Sequence, residues 1–398
     1  MPTLKESIKR YEERVSSLKE SARCYRDNEK WSRSIGTQDK MLLDTFGPEK
    51  TVELSHKIME SNRSTKEVRN ALYDLQDQGQ LRESNALSTF GALLRLGVQE
   101  VIADAWKLVP VIWDKIVMTL PSDALIQPYA NMFRPELPDI VPVGTEFPDS
   151  NLSPMSTLVQ NEKIGRRLRI ESELEEDDQT SQIKMKSAQM GEGFGIWHEI
   201  VFAAYMENAA KTYANLSVTP ETYTDPDGTT GVYTNSGNRK NQVGTMGSPS
   251  GALVNETLQI LKTIKDPNGM PVLVTPDTFL YAPDNWMVAQ QIFGSSALLA
   301  SAADATAIGS AKTLYEKNPF QGLLNPVECR FLTSTAWFVG QKNSMSLCWQ
   351  ERTGLQVLQE SVDSGDSFKY DVRQWRVRKR GKYFWMAGGS RFWCQGND

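Results

Sequence analysis

The spacing of apolar residues divides the chain before any other property does. Leu4, Ile8, Tyr11, Val15, Leu18, Ala22 and Tyr25 step alternately by four and three. That spacing predicts an amphipathic helix of coiled-coil type, whose stripe must pack on another segment or another copy. Ser64 and Glu67 stand at capping-box spacing ahead of Val68, Leu72 and Leu75 and announce a second helix. A third stripe runs from Leu94 through Val98, Val101 and Ala105 and stops before Pro110. Across residues 121–154 prolines are too frequent for a helix or a central strand, so an extended course is expected.

The period then changes to two. Over residues 164–175, Ile164, Arg166, Leu168, Ile170, Ser172 and Leu174 share one face of a strand, and Arg167, Arg169, Glu171, Glu173 and Glu175 share the other. The charged face changes sign halfway, which suits pairing with a complementary surface rather than burial in a core. A helix is expected from near Asp177 or Asp178 to about Asn215, on the order of 50 Å long. Gly191, Gly193 and Gly195 should weaken and kink it. Residues 216–250, rich in Thr, Asn, Gly and Asp, read as a long exposed loop.

The remainder alternates short helices and strands. A helix carrying Leu253, Leu258, Ile260, Leu261 and Ile264 should end at the turn of residues 266–269, with a short buried strand at 272–274. Another strand is expected beyond Pro276, then a helix over 285–293 and an Ala/Ser-rich connection. Further strands are expected around 328–332, 337–340, 345–350, 367–377 and 383–386. The fold class predicted for the whole chain is α+β.

Composition narrows the chemistry. The chain has 398 residues and a formal net charge of −5, an ordinary globular composition that argues against a protein coating nucleic acid. Charge is uneven: 31 of the first 87 residues are charged against 62 of the other 311. There are two histidines, His56 and His198, so a multi-histidine metal site is excluded. Cys24, Cys329, Cys348 and Cys394 form no CxxC pair, and a reduced compartment of synthesis is expected. The N-terminus lacks the apolar core of a secretory signal, and no stretch approaches 18 uninterrupted apolar residues.

Catalytic templates fail on named residues. His198 and Glu199 begin a zinc-protease motif, but Phe202 stands where the second histidine should be. Gly191, Gly193 and Gly195 imitate a dinucleotide fingerprint that Ile196 breaks, and Gly381-Lys382 is followed by Tyr383 instead of a P-loop Ser or Thr. The segment 225–228 could open a calcium loop, yet Ser236 occupies the position of the bidentate Glu, so a turn is the reading preferred. The acidic run 171–178 reads as a solvated strand edge and helix cap. No catalytic residue, cofactor or metal is expected. One basic strip remains, Arg373, Arg376, Arg378, Lys379 and Arg380, interleaved with Trp375 and Val377. It could meet phosphate and bases. A sheet strand with acidic neighbours is the preferred alternative.

The order of these parts resembles the major capsid proteins of tailed double-stranded DNA phages with the Hong Kong 97 (HK97-like) shell fold. The segments that carry it are ESELEEDDQT before the long helix, GALVNETLQILKTIKDPNGMPVLVTPDTFLYAP with NWMVAQQIFGSS, the NPF at Asn318, and the terminal SGDSFKYDVRQWRVRKRGKYFW. The resemblance covers roughly residues 88–398. It implies a charged helical N-terminal region over 1–87, scaffold-like or an N-terminal arm, then an arm and helix over 88–125 and an extended loop over 126–176. A spine helix and peripheral domain over 177–275 would carry the 216–250 insertion, with an axial domain over 276–360 and returning strands over 361–398.

In function it implies a non-enzymatic subunit, assembled in the host cytoplasm into pentamers and hexamers of an icosahedral virion shell around packaged DNA. Portal, scaffold, maturation protease and decoration proteins would be its partners, with no membrane. The inter-subunit contact candidates are Lys163, Arg166, Arg167, Arg169, Glu171, Glu173 and Glu175. The strip of Arg373, Arg376, Arg378 and Arg380 is a candidate for DNA or a neighbouring subunit. An encapsulin-like compartment shell and a DNA-binding module are the alternatives.

Overall fold

The computed structural model describes residues 86–131, 140–143, 145–147, 155–171, 182–213, 215–226, 228–267, 269–296, 318–360, 369–370 and 372–397. The helices expected within residues 1–85 lie outside these, as do Glu173, Glu175, Asp177, Asp178 and the Ala/Ser-rich connection.

The described elements follow in chain order. Helix α1 (Ala86–Leu108) and the single turn α2 (Trp113–Ile116) precede β1 (Met118–Pro121), β2 (Ile126–Asn131), β3 (Met155–Gln160) and β4 (Glu162–Glu171). The long helix α3 (Gln182–Glu207), β5 (Lys211–Tyr213), β6 (Leu216–Val218) and α4 (Gly251–Thr263) come next. After β7 (Thr278–Tyr281), α5 (Trp286–Ala289) is flanked by a 3-10 turn and a π turn. The chain closes with β8 (Asn325–Glu328), β9 (Trp337–Gly340), β10 (Leu347–Gln359), β11 (Val372–Trp385) and β12 (Trp393–Asn397). Two four-stranded sheets, ordered β1-β10-β11-β4 and β12-β9-β7-β8, and two hairpins, β2-β3 and β5-β6, make the α+β fold.

The chain divides into two units. One comprises Met1–Ala105, Arg169–Gly191 and Gln359–Gln374, and the other Trp106–Leu168, Glu192–Leu358 and Trp375–Asp398. In the first, Val98 and Ile102 are one helical turn apart on α1 and both buried, as are Ile170, Ile183 and Val372. The second holds an aromatic core of Trp113, Phe202, Phe338, Trp349, Tyr383, Trp385 and Trp393. A second cluster packs α4 through Val254, Leu258 and Leu261 against Phe279, Phe293 and Trp337. Ser250 caps α4, its side chain accepting from the Leu253 N–H at 3.3 Å.

Several expectations are corrected, each for a local reason. Helix α3 runs uninterrupted from Gln182 to Glu207 through its three glycines. A Cβ on Gly195 would lie 2.9 Å from the Val109 side chain, so this glycine admits a neighbour rather than breaking the helix. The helix also ends eight residues before Asn215, at Asn208, whose φ of 53° stops it. Residues 216–250 are exposed only in part: residues 228–230, 235–238 and 244–246 are exposed, but Tyr223, Asp225, Val232, Arg239, Asn241 and Val243 are buried. Their polar side chains find buried partners: Asn241 Nδ2 donates to the Val232 carbonyl within the loop and to the Ser390 carbonyl outside it, each at 2.9 Å.

Residues 272–274 belong to no strand, and Leu273 is exposed. The two strands expected at 367–377 and 383–386 are one, β11, because Gly381 does not break it. A Cβ there would lie 2.3 Å from the Gln350 carbonyl oxygen, so only glycine lets β10 and β11 approach. Strand β12 had no counterpart in the expected elements. Its Gly396 leaves room for the Trp337 ring.

Candidate inter-subunit contact surface

Strand β4 lies at an edge of its sheet. Its alternation is as the sequence implies: Ile164 and Leu168 are half-buried and Ile170 buried, while Lys163, Arg167, Arg169 and Glu171 are exposed. Arg166 shares the face of Ile164 yet is exposed as well. Arg169 sits 5.3 Å from the Tyr370 ring centroid, a cation–π contact. Glu173 and Glu175 are outside the described residues.

The C-terminal strip does not act as one group. Arg373 and Lys379 are buried, Arg376 is exposed, and Arg378 and Arg380 are half-buried. Alternation puts Arg376, Arg378 and Arg380 on one face of β11 and Lys379 on the other. A Cβ built on Gly165 would fall 3.5 Å from Arg378 Cβ, so the odd residues of β4, Lys163 and Arg167, share that face. Arg378 Nε donates to Gln356 Oε1 of β10 at 3.0 Å, which adds Arg352 by the same alternation. Two basic groups that are far apart in sequence thus meet on adjacent strands. The positions 163–167, 352–356 and 376–380 of this alternation hold no Asp or Glu, but Glu171 ends the same row of β4 and the Glu351 carboxylate lies 3.8 Å from where a Cβ on Gly354 would stand.

The opposite face is a closed aromatic box. Lys379 Nζ lies 5.0, 5.4 and 5.1 Å from the Trp106, Trp113 and Trp349 centroids and 3.3 Å from Glu351. His198 stacks on Trp113 at 4.6 Å, and its Nδ1 lies 2.8 Å from the Tyr383 hydroxyl. Burial, then the Lys379 charge, holds the imidazole well below its usual range, so it is neutral. Burial also lowers Lys379, against the pull of Glu351. The neighbouring Glu199 accepts from the Ile112 and Trp113 N–H groups, although burial raises it overall.

Other buried charges are likewise engaged. Arg391 grips Asp225 through two bonds of 2.7 and 2.8 Å, with both side chains buried. Lys382 holds Glu162 and Glu221, and Lys211 meets Glu207 at 2.9 Å. Burial pushes the Cys329 and Cys348 thiols up to about 12, far from reactive thiolates. Among the described residues no three His, Cys, Asp or Glu side chains are placed to hold a metal, and no helix is long and apolar enough to cross a membrane.

Exposed apolar side chains are spread along the chain, Leu108 and Leu273 among them, and two sets stand out. The β2-β3 ribbon is anchored at its base by buried Val159 and by Tyr129 stacked 4.9 Å from Phe384. Leu125 and Ile126 at the base and Leu158 along β3 are exposed, and Ile140, Val143 and Phe147 in the connecting segment are almost fully so. Trp286, Met287 and Leu323 form the other exposed apolar set. Exposed apolar residues in such numbers mark surfaces that another protein covers.

Charge locked inside and apolar surface left outside define a protein that works through contact with other chains. Residues 154–387 match the family model described as phage capsid protein, and the chain belongs to that family. It is a major capsid protein, a component of the virion shell that acts as an assembly of its own copies, and the encapsulin-like alternative is not favoured. Solved structures similar to it include the capsid of a native GTA particle, at 8% identity over 71% of this chain and 88% of that one, TM-score 0.45. A Microbacterium phage Oxtober96 structure aligns at 13% identity over 71% and 89%, TM-score 0.42. A virus-like particle from Pyrococcus furiosus aligns at 7% identity over 75% and 97%, TM-score 0.40. No curated protein matches the chain by sequence.

Proposed function

We propose that copies of this capsid protein are held together by the β2-β3 ribbon, whose 140–147 segment lies over a neighbouring subunit. The observation that carries this is the near-complete exposure of Ile140, Val143 and Phe147 on a ribbon whose base is firmly seated. Three large apolar side chains left in water cost roughly 1.5–3 kcal/mol each relative to burial, and contact between copies recovers that free energy. Trp286, Met287 and Leu323 supply a second contact, within the segment assigned to the axial domain around the five-fold and six-fold centres. Residues 1–87 serve as a scaffold-like region or arm, and residues 88–125 lead from it into the shell domain. The subunit performs no catalysis. Packaged DNA, portal, scaffold and maturation protease meet the shell and not an active site.

Electron microscopy of the full-length protein tests this reading. Shells or capsomers of five and six copies are expected from the natural chain. A triple Ile140→Ser, Val143→Ser, Phe147→Ser variant is expected to keep its urea midpoint and lose assembly. Normal shells from that variant would remove the ribbon from the contact.

A further inference from the structure

Arg239 is 1% exposed, yet it differs from Lys211, Lys379, Lys382 and Arg391, each of which meets a carboxylate. Its Nη1 donates to the Gly231 carbonyl at 2.8 Å and to Ser390 Oγ at 3.4 Å, while Nε and Nη2 are buried with no hydrogen-bond partner. We propose that this second edge of the guanidinium holds a small monovalent anion, chloride, inside the 216–250 insertion.

Geometry and charge point to that class of ligand. Nε–H and Nη2–H leave one edge of the planar group side by side, the fork that takes a single anion through two bonds. Around it Arg239 and Arg391 bring two positive charges and Asp225 one negative, all three buried. Asp225 is already spent: Arg391 takes both its oxygens, and the Tyr223 hydroxyl donates to Oδ1 at 2.7 Å. Tyr223 supplies no counter-charge, because burial first and then Asp225 raise its phenol. Its ring offers a cation–π contact, 5.8 Å from the Arg239 guanidinium carbon. The other described carboxylate of the insertion, Glu221, is held by Lys382. A buried charge without a counter-charge is among the costliest features a fold can carry, and one monovalent anion balances this cluster where a doubly charged oxyanion would overshoot it. Arg239 and Asn241 both bond Ser390, and Arg391 Nε donates to the Lys265 carbonyl at 2.9 Å. The anion therefore sits where the insertion grips the turn that leads into β12. Residues 228–230 and 235–238 of the insertion are exposed, so the opening of a turn, short of unfolding, admits an ion.

Anion exchange at constant ionic strength tests this, because screening then stays the same. Urea unfolding of the full-length chain is followed as sodium gluconate, whose anion is too large for the site, is replaced by sodium chloride or sodium bromide. The midpoint is expected to rise with either halide. Above the dissociation constant each tenfold rise in chloride should multiply the folded-to-unfolded ratio about tenfold. The chain should also broaden the chloride NMR line, and bromide should reverse the broadening by competition. Arg239→Gln removes the charge and the fork, and Arg239→Lys keeps the charge without the fork. The first should abolish both halide effects and the second should weaken them. Crystals of the natural chain grown in bromide should show an anomalous scattering peak beside Arg239 Nε and Nη2, which decides the question even where a variant fails to fold.

Three outcomes would overturn the proposal. If chloride, bromide and gluconate give the same midpoint and no bromide peak lies beside Arg239, the fork is met by water alone. If the halide effects persist undiminished in Arg239→Gln, the anion binds elsewhere. Asp227 is the remaining carboxylate of the insertion and lies outside the described residues. If Asp227→Asn lowers the midpoint as far as Arg239→Gln does and halide has no effect on the natural chain, the counter-charge belongs to the chain itself.

Discussion

The buried His198 makes stability depend on pH in a calculable way. In the unfolded chain its imidazole titrates near 6.5. In the folded protein burial and the adjacent Lys379 hold it well below that. The folded state therefore refuses a proton that the unfolded state accepts. Stability is fully present above about pH 6.5 and is lost as pH falls toward the folded value. Each pH unit below 6.5 over which the folded imidazole stays neutral costs at most about 1.36 kcal/mol, which bounds the loss.

Glu199, raised by burial, acts with the opposite sign, since its contribution is present at low pH and lost as pH rises through its folded value. Tyr383, Lys379 and Glu351 line the remaining walls of the box. The decisive measurement is therefore a difference. Urea unfolding of unassembled subunits, followed by tryptophan fluorescence between pH 7.5 and 5, is compared for the natural chain and His198→Gln. The natural chain should lose stability more steeply than the variant as pH falls below 6.5, by at most about 1.36 kcal/mol per pH unit. Parallel pH dependences would show that His198 does not resist protonation in the folded protein.

Two glycines of α3 should respond oppositely to the same substitution. Gly195→Ala places its methyl 2.9 Å from Val109 and should lower stability by about 1–3 kcal/mol, whereas a Cβ on Gly193 meets nothing within 4 Å. Gly193→Ala should therefore raise stability by about 0.5–1 kcal/mol through helix propensity, and urea midpoints check both. Asp225→Asn leaves the buried Arg391 without its counter-charge and should cost about 3–5 kcal/mol, read as a lower thermal midpoint.

What the sequence revealed follows from which constraints are local. The period-two alternation of residues 164–171, the Ser250 cap and the 337–340 strand were legible because spacing and capping chemistry act over a few residues. Gly195 and Gly381 misled because a glycine that breaks an element and one that admits a neighbour look alike until the neighbour is known. For these two the neighbours are Val109 and Gln350, distant in sequence. Residues 216–250 misled for a related reason. Polar composition reads as solvent exposure, but Asn241 and Asp225 spend their polarity on buried partners, and Arg391 lies 166 positions from Asp225. The capsid family was legible from element order, and the basic face was only half legible. Each of its two arginine groups was visible alone, but nothing in the linear chain placed β4 beside β11.

That juxtaposition changes what the arginines of β11 mean. Along the strand they look like one strip of five cations, the pattern of a phosphate-binding segment. In the sheet the strip separates by parity. Lys379 turns inward, where Glu351 and three tryptophans surround it, and Arg373 is buried within the other unit. Arg376, Arg378 and Arg380 turn outward, and Lys163 and Arg167 extend their row across β4. The inward lysine shares its box with the one described histidine, which burial first and then the lysine's charge hold well below its usual range. Contacts between exposed charges weaken as the screening length shortens, so high salt should act on any contact the outward arginines make. Acid should therefore act first on the subunit and salt first on the shell. Subunits released by high salt at neutral pH should keep the urea midpoint they had before assembly.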